Sequence, residues 1–275
     1  MNFSEAWRIA FPPMMWVLPL VAAILCSIGF KKFVWFISIG YGAAVAGEGI
    51  AMIFMFWNRL TVATVIILIV LIGYACRLAG FLTMREIKSA SYRKVAKEIT
   101  KDGSDMSFGV KCAIWISVIC LYFCQVSPIF YRLSNGTASN AWHWLGLIVM
   151  LLGVTLEATA DMQKSAAKKK NANRFCDTGL FRLVRCPNYL GELLLWVGVF
   201  ISGFGALTGV VQWFIAVLGF VCITYIMFSG ARRLELRQNK RYGNDPEYQK
   251  YVKSTPIIIP FIPLYSVADC KFIIV

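Results

Sequence analysis

The chain has 275 residues, of which 59% are hydrophobic and 15% charged, with a mean hydropathy of +0.65. Soluble domains are about half apolar and a quarter charged, so this composition excludes an ordinary soluble domain and indicates a membrane protein. The net charge of +14 would suit nucleic acid, but the positions of the basic residues argue against that use.

Seven hydrophobic stretches follow one another, and most reach the roughly 20 residues that span a hydrocarbon core. They are residues 11–30, 33–57, 60–82, 108–131, 141–160, 189–204 and 207–228. The sixth stretch is short and needs its flanks to cross. We expect one all-α domain over residues 1–275, with substrate-side helices in 1–150 and a cofactor-binding half in 151–275.

The basic residues alternate from one side of the predicted bundle to the other. All but four of the 28 Lys and Arg residues lie in or beside the loops after stretches one, three, five and seven; the four are Arg8, Arg59, Arg77 and Arg132. This positive-inside pattern predicts an N-terminus outside and a C-terminus in the cytosol. We expect a multi-pass protein of a bacterial inner membrane or the endoplasmic reticulum, in contact with membrane lipids and not with nucleic acid.

Cysteine and histidine give no sign of a metal site. The nine cysteines are scattered, mostly within apolar stretches, and lack paired spacing, which argues against a disulfide framework. The single His143 lies between Trp142 and Trp144, a pattern typical of the aromatic belt at a membrane interface. We therefore expect no bound metal.

Ionisable residues within apolar stretches normally pair or serve a function. Five such residues occur here: Glu48, Arg77, Glu157, Asp161 and Glu192. In the fifth stretch the spacing i, i+4, i+7 and i+11 places four polar residues on one helical stripe. These are Glu157, Asp161, Lys164 and Lys168.

Glu48 and Tyr74 are predicted to approach each other across a helical hairpin. Counted from its turn near Arg59, Glu48 is 11 residues away and Tyr74 is 15, so their depths differ by roughly 6 Å. A carboxyl group in hydrocarbon favours its neutral form. A neutral acid beside a Tyr hydroxyl can stabilise an enolate. The alternative is a simple ion pair between Glu48 and Arg77, which lies one turn nearer the cytosol.

The stretch from Gly179 to Glu192, GLFRLVRCPNYLGE, joins a basic loop to the sixth apolar segment. It brings polar side chains to the start of that segment, where an acid is costly without a partner. We interpret them as a grip on a charged cofactor, and the alternative is an ordinary interfacial loop. These side chains are Arg185, Asn188, Tyr189 and Glu192.

Four segments together resemble the steroid 5-alpha-reductase family, and its bacterial-type branch most of all. They are EATADMQK at 157–164, GLFRLVRCPNYLGE at 179–192, YGNDPEY at 242–248 and IPF at 259–261. The resemblance covers residues 155–263 and is thin over 1–150. It implies a seven-helix membrane reductase that takes NADPH from the cytosol and saturates a carbon–carbon double bond conjugated to a ketone.

The resemblance also implies roles for individual residues. An acid on the second helix and a Tyr on the third contact the substrate carbonyl in that family, which implies Glu48 and Tyr74 as catalytic residues. Its cofactor ligands correspond to Asp161, Arg174, Asn188 and Glu192. With neighbouring polar residues, the expected cofactor-binding set is Arg77, Glu157, Asp161, Lys164, Lys168, Arg174, Arg185, Asn188, Tyr189 and Glu192.

Arg and Lys suit phosphate recognition, so Arg174, Lys164 and Lys168 predict NADPH rather than NADH. We expect a monomer that takes a hydrophobic substrate from the bilayer, such as a 3-oxo-4-ene steroid or another isoprenoid enone. Two departures argue against a steroid in particular: Gly47 stands where the steroid enzymes have Gln, and the tail around Arg232 lacks their His-rich stretch.

Two other functions remain open. One is a membrane methyltransferase that uses S-adenosylmethionine and resembles isoprenylcysteine carboxyl methyltransferase. Against it, Cys186 replaces the expected His, and the acidic pair expected after the last helix is missing beside Glu235. The other is a transporter or lipid-binding scaffold without enzymatic activity. It would need polar groups along a path through the bundle, whereas these cluster toward the cytosolic half.

Overall fold

The computed structural model describes residues 3–88 and 106–273, and within those ranges the regular structure is helical, with no strand. Several short 3-10 turns connect the helices. The helices are α1 Phe3–Ala10, α2 Val17–Cys26, α3 Ile39–Met55, α4 Val62–Lys88, α5 Phe108–Ser134, α6 Ala141–Lys170, α7 Pro187–Ser202, α8 Gly209–Tyr242 and α9 Pro246–Ser254.

Six segments of the described chain are long and apolar enough to cross a membrane. They are Trp7–Phe30, Phe33–Met55, Val62–Lys88, Phe108–Ser134, Ala141–Lys170 and Gly209–Tyr242. They correspond to six of the seven predicted stretches, so the prediction of an all-helical, multi-pass membrane protein is confirmed. The remaining stretch forms α7, which has only 16 residues and rises about 24 Å. A seventh span and the orientation of the termini stay predictions.

The chain divides into two compact units. The first contains residues 1–147 and 199–220, and the second contains residues 148–198 and 221–275. Helices α6, α7 and α8 each contribute residues to both units. The predicted change of role near residue 150 stays a prediction.

In the first unit, α3 and α4 approach so closely that only glycine fits between them. A methyl group on Gly42 would lie 2.8 Å from the carbonyl oxygen of Ala75, and one on Gly49 would lie 2.8 Å from the Cγ1 atom of Ile72. Small residues at seven-residue spacing permit this kind of packing between membrane helices. Because the two helices are antiparallel, these two contacts fix their register over residues 42–49.

A buried arginine organises the end of α5. The side chain of Arg132 is 1% exposed, and its guanidinium donates to the carbonyl oxygens of Ser202 (2.9 Å), Ala138 (2.7 Å) and Phe204 (3.0 Å). A charge buried in a membrane bundle is tolerated when backbone carbonyls neutralise it in this way. This Arg therefore stabilises the connection from Gly203 to Thr208 within the first unit.

In the second unit, glycines again bring two helices into contact. A methyl group on Gly153 would lie 2.5 Å from the backbone nitrogen of Leu195, and one on Gly191 would lie 2.6 Å from that of Glu157. The start of α7 is thereby held against the middle of α6. This contact brings the polar stripe of α6 beside the polar residues at the start of α7.

The C-terminal segment after α9 folds back within the second unit. The backbone N–H groups of Arg185 and Cys186 donate to the carbonyl oxygens of Pro256 (2.8 Å) and Ile257 (2.9 Å). The Arg232 side chain donates to the carbonyl oxygens of Ala268 (3.0 Å) and Ile273 (2.7 Å). The tail thus fixes the residues immediately before α7.

Candidate functional site

Glu48 is an acidic side chain buried in the middle of a membrane helix. It is 0% exposed, and neither carboxyl oxygen has a hydrogen-bond partner among the residues that the structure describes. The alternative considered from the sequence was an ion pair between Glu48 and Arg77, and the described structure does not contain it. A buried polar group without a hydrogen bond costs about 1–3 kcal/mol, so its position is explained by a ligand more readily than by folding.

Tyr74 lies on the neighbouring helix at nearly the same depth. Gly42 opposes Ala75, and Gly49 opposes Ile72, so Glu48 falls opposite residues close to Tyr74. The Tyr74 side chain is 1% exposed. Arg77 follows one turn later and is partly exposed. The structure therefore places the two predicted catalytic residues at a common level in the first unit.

The predicted polar stripe on α6 is continuous, because the helix runs from Ala141 to Lys170 without a break. Glu157 is 3% exposed, whereas Asp161 and Lys164 are partly exposed. Lys168 lies at the end of the stripe, where its ammonium group donates to the hydroxyl of Tyr242 at 3.0 Å. The stripe therefore leads from a buried acid to basic residues near the surface.

The loop before α7 depends on a tight glycine turn. Gly179 has a φ of 60°, and a methyl group there would lie 2.5 Å from the Oε1 atom of Gln163. That same oxygen accepts a hydrogen bond from the backbone N–H of Leu180 at 2.8 Å. Phe181 is buried, and its carbonyl oxygen accepts from the Tyr251 hydroxyl at 2.7 Å. The Gly-Leu-Phe motif thus attaches the loop to α6 and α9.

Arg185 is engaged inside the second unit. Its side chain and that of Glu235 are 1% and 0% exposed and lie 2.6 Å apart. Its guanidinium also donates to the carbonyl oxygen of Tyr265, and the second Glu235 oxygen accepts from the backbone N–H of Val267 at 2.8 Å. Arg185 was predicted to bind the cofactor, but its guanidinium contacts Glu235 and the C-terminal segment of the protein itself.

Arg174 is likewise paired, but at the surface. Its guanidinium donates to Asp177 at 2.8 Å and to Glu247 at 2.5 Å. Exposed ion pairs of this kind contribute little to stability. They do hold the loop before the Gly-Leu-Phe motif near α9, where the Asp245 side chain caps the helix by accepting from the N–H of Glu247.

Helix α7 begins at Pro187, as predicted from proline at the first turn of a helix. The Oδ1 atom of Asn188 is buried and has no hydrogen-bond partner within the described ranges. Glu192, four residues later, is 8% exposed. Burial raises the pKa of the preceding Cys186 thiol to about 12. The start of α7 therefore offers polar groups from Asn188 and Glu192, beside a neutral thiol.

Two cations near Tyr189 were not predicted from the sequence. A methyl group on Gly230 would lie 3.4 Å from the Tyr189 ring, so this face of α8 is directed toward the start of α7. On the same face, Arg233 and Arg237 lie close enough to act electrostatically on the Tyr189 hydroxyl. The i, i+3, i+7 spacing from Gly230 was the signal available in the sequence.

The side chains of the second unit suit a ligand that carries phosphate and ribose groups. Positive charge comes from Lys164, which acts on Cys186, and from Arg233 and Arg237 beside Tyr189. Such cations bind phosphate. The buried Asn188 oxygen without a hydrogen bond can accept from an amide or a ribose hydroxyl. Acidic side chains that suit ribose hydroxyls are also present on α6 and α7.

Together, these features define the class of the protein: a multi-pass helical membrane protein with buried acidic groups in its spans and a cationic cluster in its second unit. Residues 27–255 match the model of a family described as protein of unknown function DUF1295. The chain belongs to this family, which is similar to the steroid 5-alpha-reductases. The predicted resemblance is thereby confirmed.

Three individual proteins are similar to parts of the chain. The chain is 28% identical over 128 residues to a steroid 5-alpha-reductase DET2 of Arabidopsis thaliana, covering 44% of each chain. It is 30% identical over 125 residues to the DET2 protein of Gossypium hirsutum, covering 44% of this chain and 43% of that one. An uncharacterized protein of Schizosaccharomyces pombe, C594.04c, is 31% identical over 140 residues, with 42% and 39% covered.

The chain thus spans less than half the length of these relatives. No solved structure matches it.

Proposed function

We propose that this protein is an NADPH-dependent membrane reductase that saturates the double bond of a conjugated enone in a hydrophobic lipid. A 3-oxo-4-ene steroid or a related isoprenoid enone is the substrate class. The observation that carries the proposal is Glu48, a fully buried acid without a hydrogen bond among the described residues, level with Tyr74. Membership of a family similar to steroid 5-alpha-reductases supports it.

NADPH, when bound, would supply a hydride for the carbon β to the ketone and would become NADP⁺. The π electrons of the double bond move toward the ketone, and negative charge accumulates on its oxygen. A proton from water then adds to the α carbon, so the product is the saturated ketone. Groups directed at that oxygen must stabilise the charge. Glu48 in its neutral form and the Tyr74 hydroxyl are both hydrogen-bond donors suited to that role.

The second unit would hold the cofactor. We assign polar contacts with NADPH to four side chains: Asp161, Asn188, Tyr189 and Glu192. Three cations would neutralise the charge of its phosphates: Lys164, Arg233 and Arg237. Glu157 and Lys168 complete the part of the expected set that lies in the second unit, whereas Arg77 belongs to the first unit and its cofactor role stays a prediction from the sequence. Arg174 and Arg185 already bind acidic side chains of the unit, so we propose that they position the loop before α7 and reach the cofactor only indirectly.

The proposed topology has seven spans, with α7 as the short sixth one, the N-terminus outside and the cofactor site facing the cytosol. The excess of basic residues in alternate loops supports this orientation. A thinner bilayer or the flanking residues would accommodate α7. We propose a monomer of a bacterial inner membrane or the endoplasmic reticulum, which receives its substrate from the surrounding lipid.

The experiment that tests the function is single-turnover oxidation of NADPH with progesterone as the enone. Removing one donor to a developing oxyanion costs on the order of a hundredfold or more in turnover. We expect Tyr74→Phe and Glu48→Ala to be slowed by at least about that factor, with NADPH affinity intact. Glu48→Gln keeps a donor and should retain more activity than Glu48→Ala.

Reduction by Glu48→Ala at the wild-type rate would show that the assigned site is wrong. Calorimetric titration of the purified protein distinguishes the reductase from the methyltransferase. Tight binding of S-adenosylmethionine without binding of NADPH would overturn the reductase and favour the methyltransferase.

A further inference from the structure

The first unit buries two glutamines, and their surroundings differ. Gln212 is 0% exposed and Gln125 is 3% exposed. The Gln212 carboxamide accepts from the N–H of Thr208 (2.8 Å) and the Asn135 side chain (2.9 Å), and donates to the carbonyl oxygen of Ile9 (2.9 Å). Neither Oε1 nor Nε2 of Gln125 has a hydrogen-bond partner in the described chain. Gln212 therefore stabilises the fold, whereas no hydrogen bond within the described protein explains why Gln125 is buried.

The position of Gln125 relates it to Glu48. Two aromatic contacts join α3 and the residue after it to α5: Tyr41 contacts Tyr122 (ring centroids 5.1 Å apart), and Phe56, directly after α3, contacts Phe130 (5.7 Å). Along α3, Glu48 lies about midway between its two aromatic residues. Along α5, Gln125 lies slightly before the middle of the corresponding interval. Both residues thus lie between the two aromatic contacts, where α3 and α5 face each other in the first unit.

Buried polar groups in native structures are nearly always hydrogen-bonded, and each exception calls for an explanation. Here two exceptions occur between the same pair of aromatic contacts, on two helices that touch each other. One is a carboxyl group and the other a carboxamide, so together they offer both donors and acceptors. A hydrogen-bond acceptor on an otherwise apolar molecule, bound between the two helices, would take a hydrogen bond from each side chain.

We infer that Gln125 is a substrate-binding residue that recognises the ketone end of the lipid together with Glu48. Its Nε2 atom donates to the carbonyl oxygen, in addition to the donors already assigned. The inference rests on the proposed function for the identity of the ligand, but it concerns binding and not hydride transfer. Gln125 would therefore distinguish a ketone-bearing lipid from the same lipid without an oxygen.

The test compares Gln125→Met with the matched control Gln212→Met. The probes are 5α-pregnan-3-one and the hydrocarbon 5α-pregnane, with binding measured on the purified full-length protein without NADPH. Methionine keeps the length of glutamine and removes its hydrogen-bonding atoms. We expect Gln125→Met to bind the ketone about tenfold more weakly, the usual size of one lost hydrogen bond, with hydrocarbon binding unchanged. Gln212→Met should keep the preference for the ketone.

Thermal unfolding of the same variants provides a second measurement. Gln125→Met breaks no hydrogen bond within the protein, so its melting temperature should equal or exceed that of the wild type, whereas Gln212→Met should lower it. An equal loss of stability in both variants would make Gln125 structural and overturn the inference. Wild-type affinity of Gln125→Met for the ketone would also overturn it. A preserved effect on ketone binding in a protein that does not oxidise NADPH would support the inference and contradict the reductase.

Discussion

Glu48 in the first unit and Glu235 in the second are both 0% exposed, yet their carboxyl groups have different surroundings. Glu235 pairs with Arg185 and accepts from the N–H of Val267. Glu48 has no hydrogen-bond partner among the described residues. Burying a charge is costly unless it is paired and hydrogen-bonded. The comparison indicates that Glu235 belongs to the architecture of its unit and Glu48 to the binding of a ligand.

The largest effect should come from Glu235→Ala, because it leaves the Arg185 charge buried without its carboxylate. Removing one partner of a buried ion pair typically costs about 3–5 kcal/mol. Glu48→Leu should leave stability unchanged or higher, since it removes a polar group that the protein does not satisfy. Thermal unfolding of the purified variants in one detergent measures both effects.

The double variant Arg185→Met with Glu235→Leu is the control for this comparison. Apolar replacement of a whole buried pair is often neutral or stabilising, so the double variant should regain much of the stability that Glu235→Ala loses. If Glu48→Leu and Glu235→Ala lowered the melting temperature equally, the distinction between the two acids would be wrong.

Much of the fold could be predicted from the sequence, because membrane helices produce long apolar runs that are visible without a structure. Six of the seven stretches correspond to helical segments long and apolar enough to cross a membrane. The start of α7 at Pro187 and the continuous stripe on α6 also followed from local rules, namely proline at the first turn and the helical period. These features depend on residues close together in sequence.

Features that depend on distant residues could not be predicted. Arg185 and Glu235 are 50 residues apart, and nothing in either local sequence indicates that they meet. A single glutamine in an apolar helix, such as Gln125, has no periodic pattern that marks it. Nothing near Arg132 in the sequence indicates that its guanidinium is buried among the backbone carbonyl groups of Ser202 and Phe204. The role of such a residue depends on the groups that surround it in the folded protein, and these are distant in the sequence.

The same contrast applies to the arginines of the second unit and gives a smaller expected effect. Arg232 donates to tail carbonyl oxygens, whereas Arg233 and Arg237 act on Tyr189. Because cations near the cofactor recognise its phosphates, Arg233→Gln should weaken NADPH binding about tenfold, roughly the loss of one charge-assisted hydrogen bond. NADH, which lacks the 2′-phosphate, should bind with unchanged affinity if Arg233 contacts that group.

Arg232→Gln is the matched control, since it changes the net charge by the same amount on the neighbouring residue. It should leave the ratio of NADPH to NADH affinity unchanged, as measured by calorimetric titration. An equal decrease in NADPH affinity for both variants would mean that only the overall charge matters, and the assignment of Arg233 to a phosphate would be abandoned.

The smallest effect concerns Cys186, which adjoins the buried pair of Arg185 and Glu235. Burial raises the pKa of this thiol to about 12, and alkylation requires the thiolate. At pH 8 the reactive fraction would therefore be roughly one part in ten thousand, against about a quarter for an ordinary cysteine. Site-resolved mass spectrometry after iodoacetamide treatment should find Cys186 unmodified in the native protein and modified after unfolding, while the partly exposed Cys270 reacts in both. Rapid native alkylation of Cys186 would show that the region around the buried pair opens to solvent, and the assignment of Glu235 to a sealed structural core would then fail.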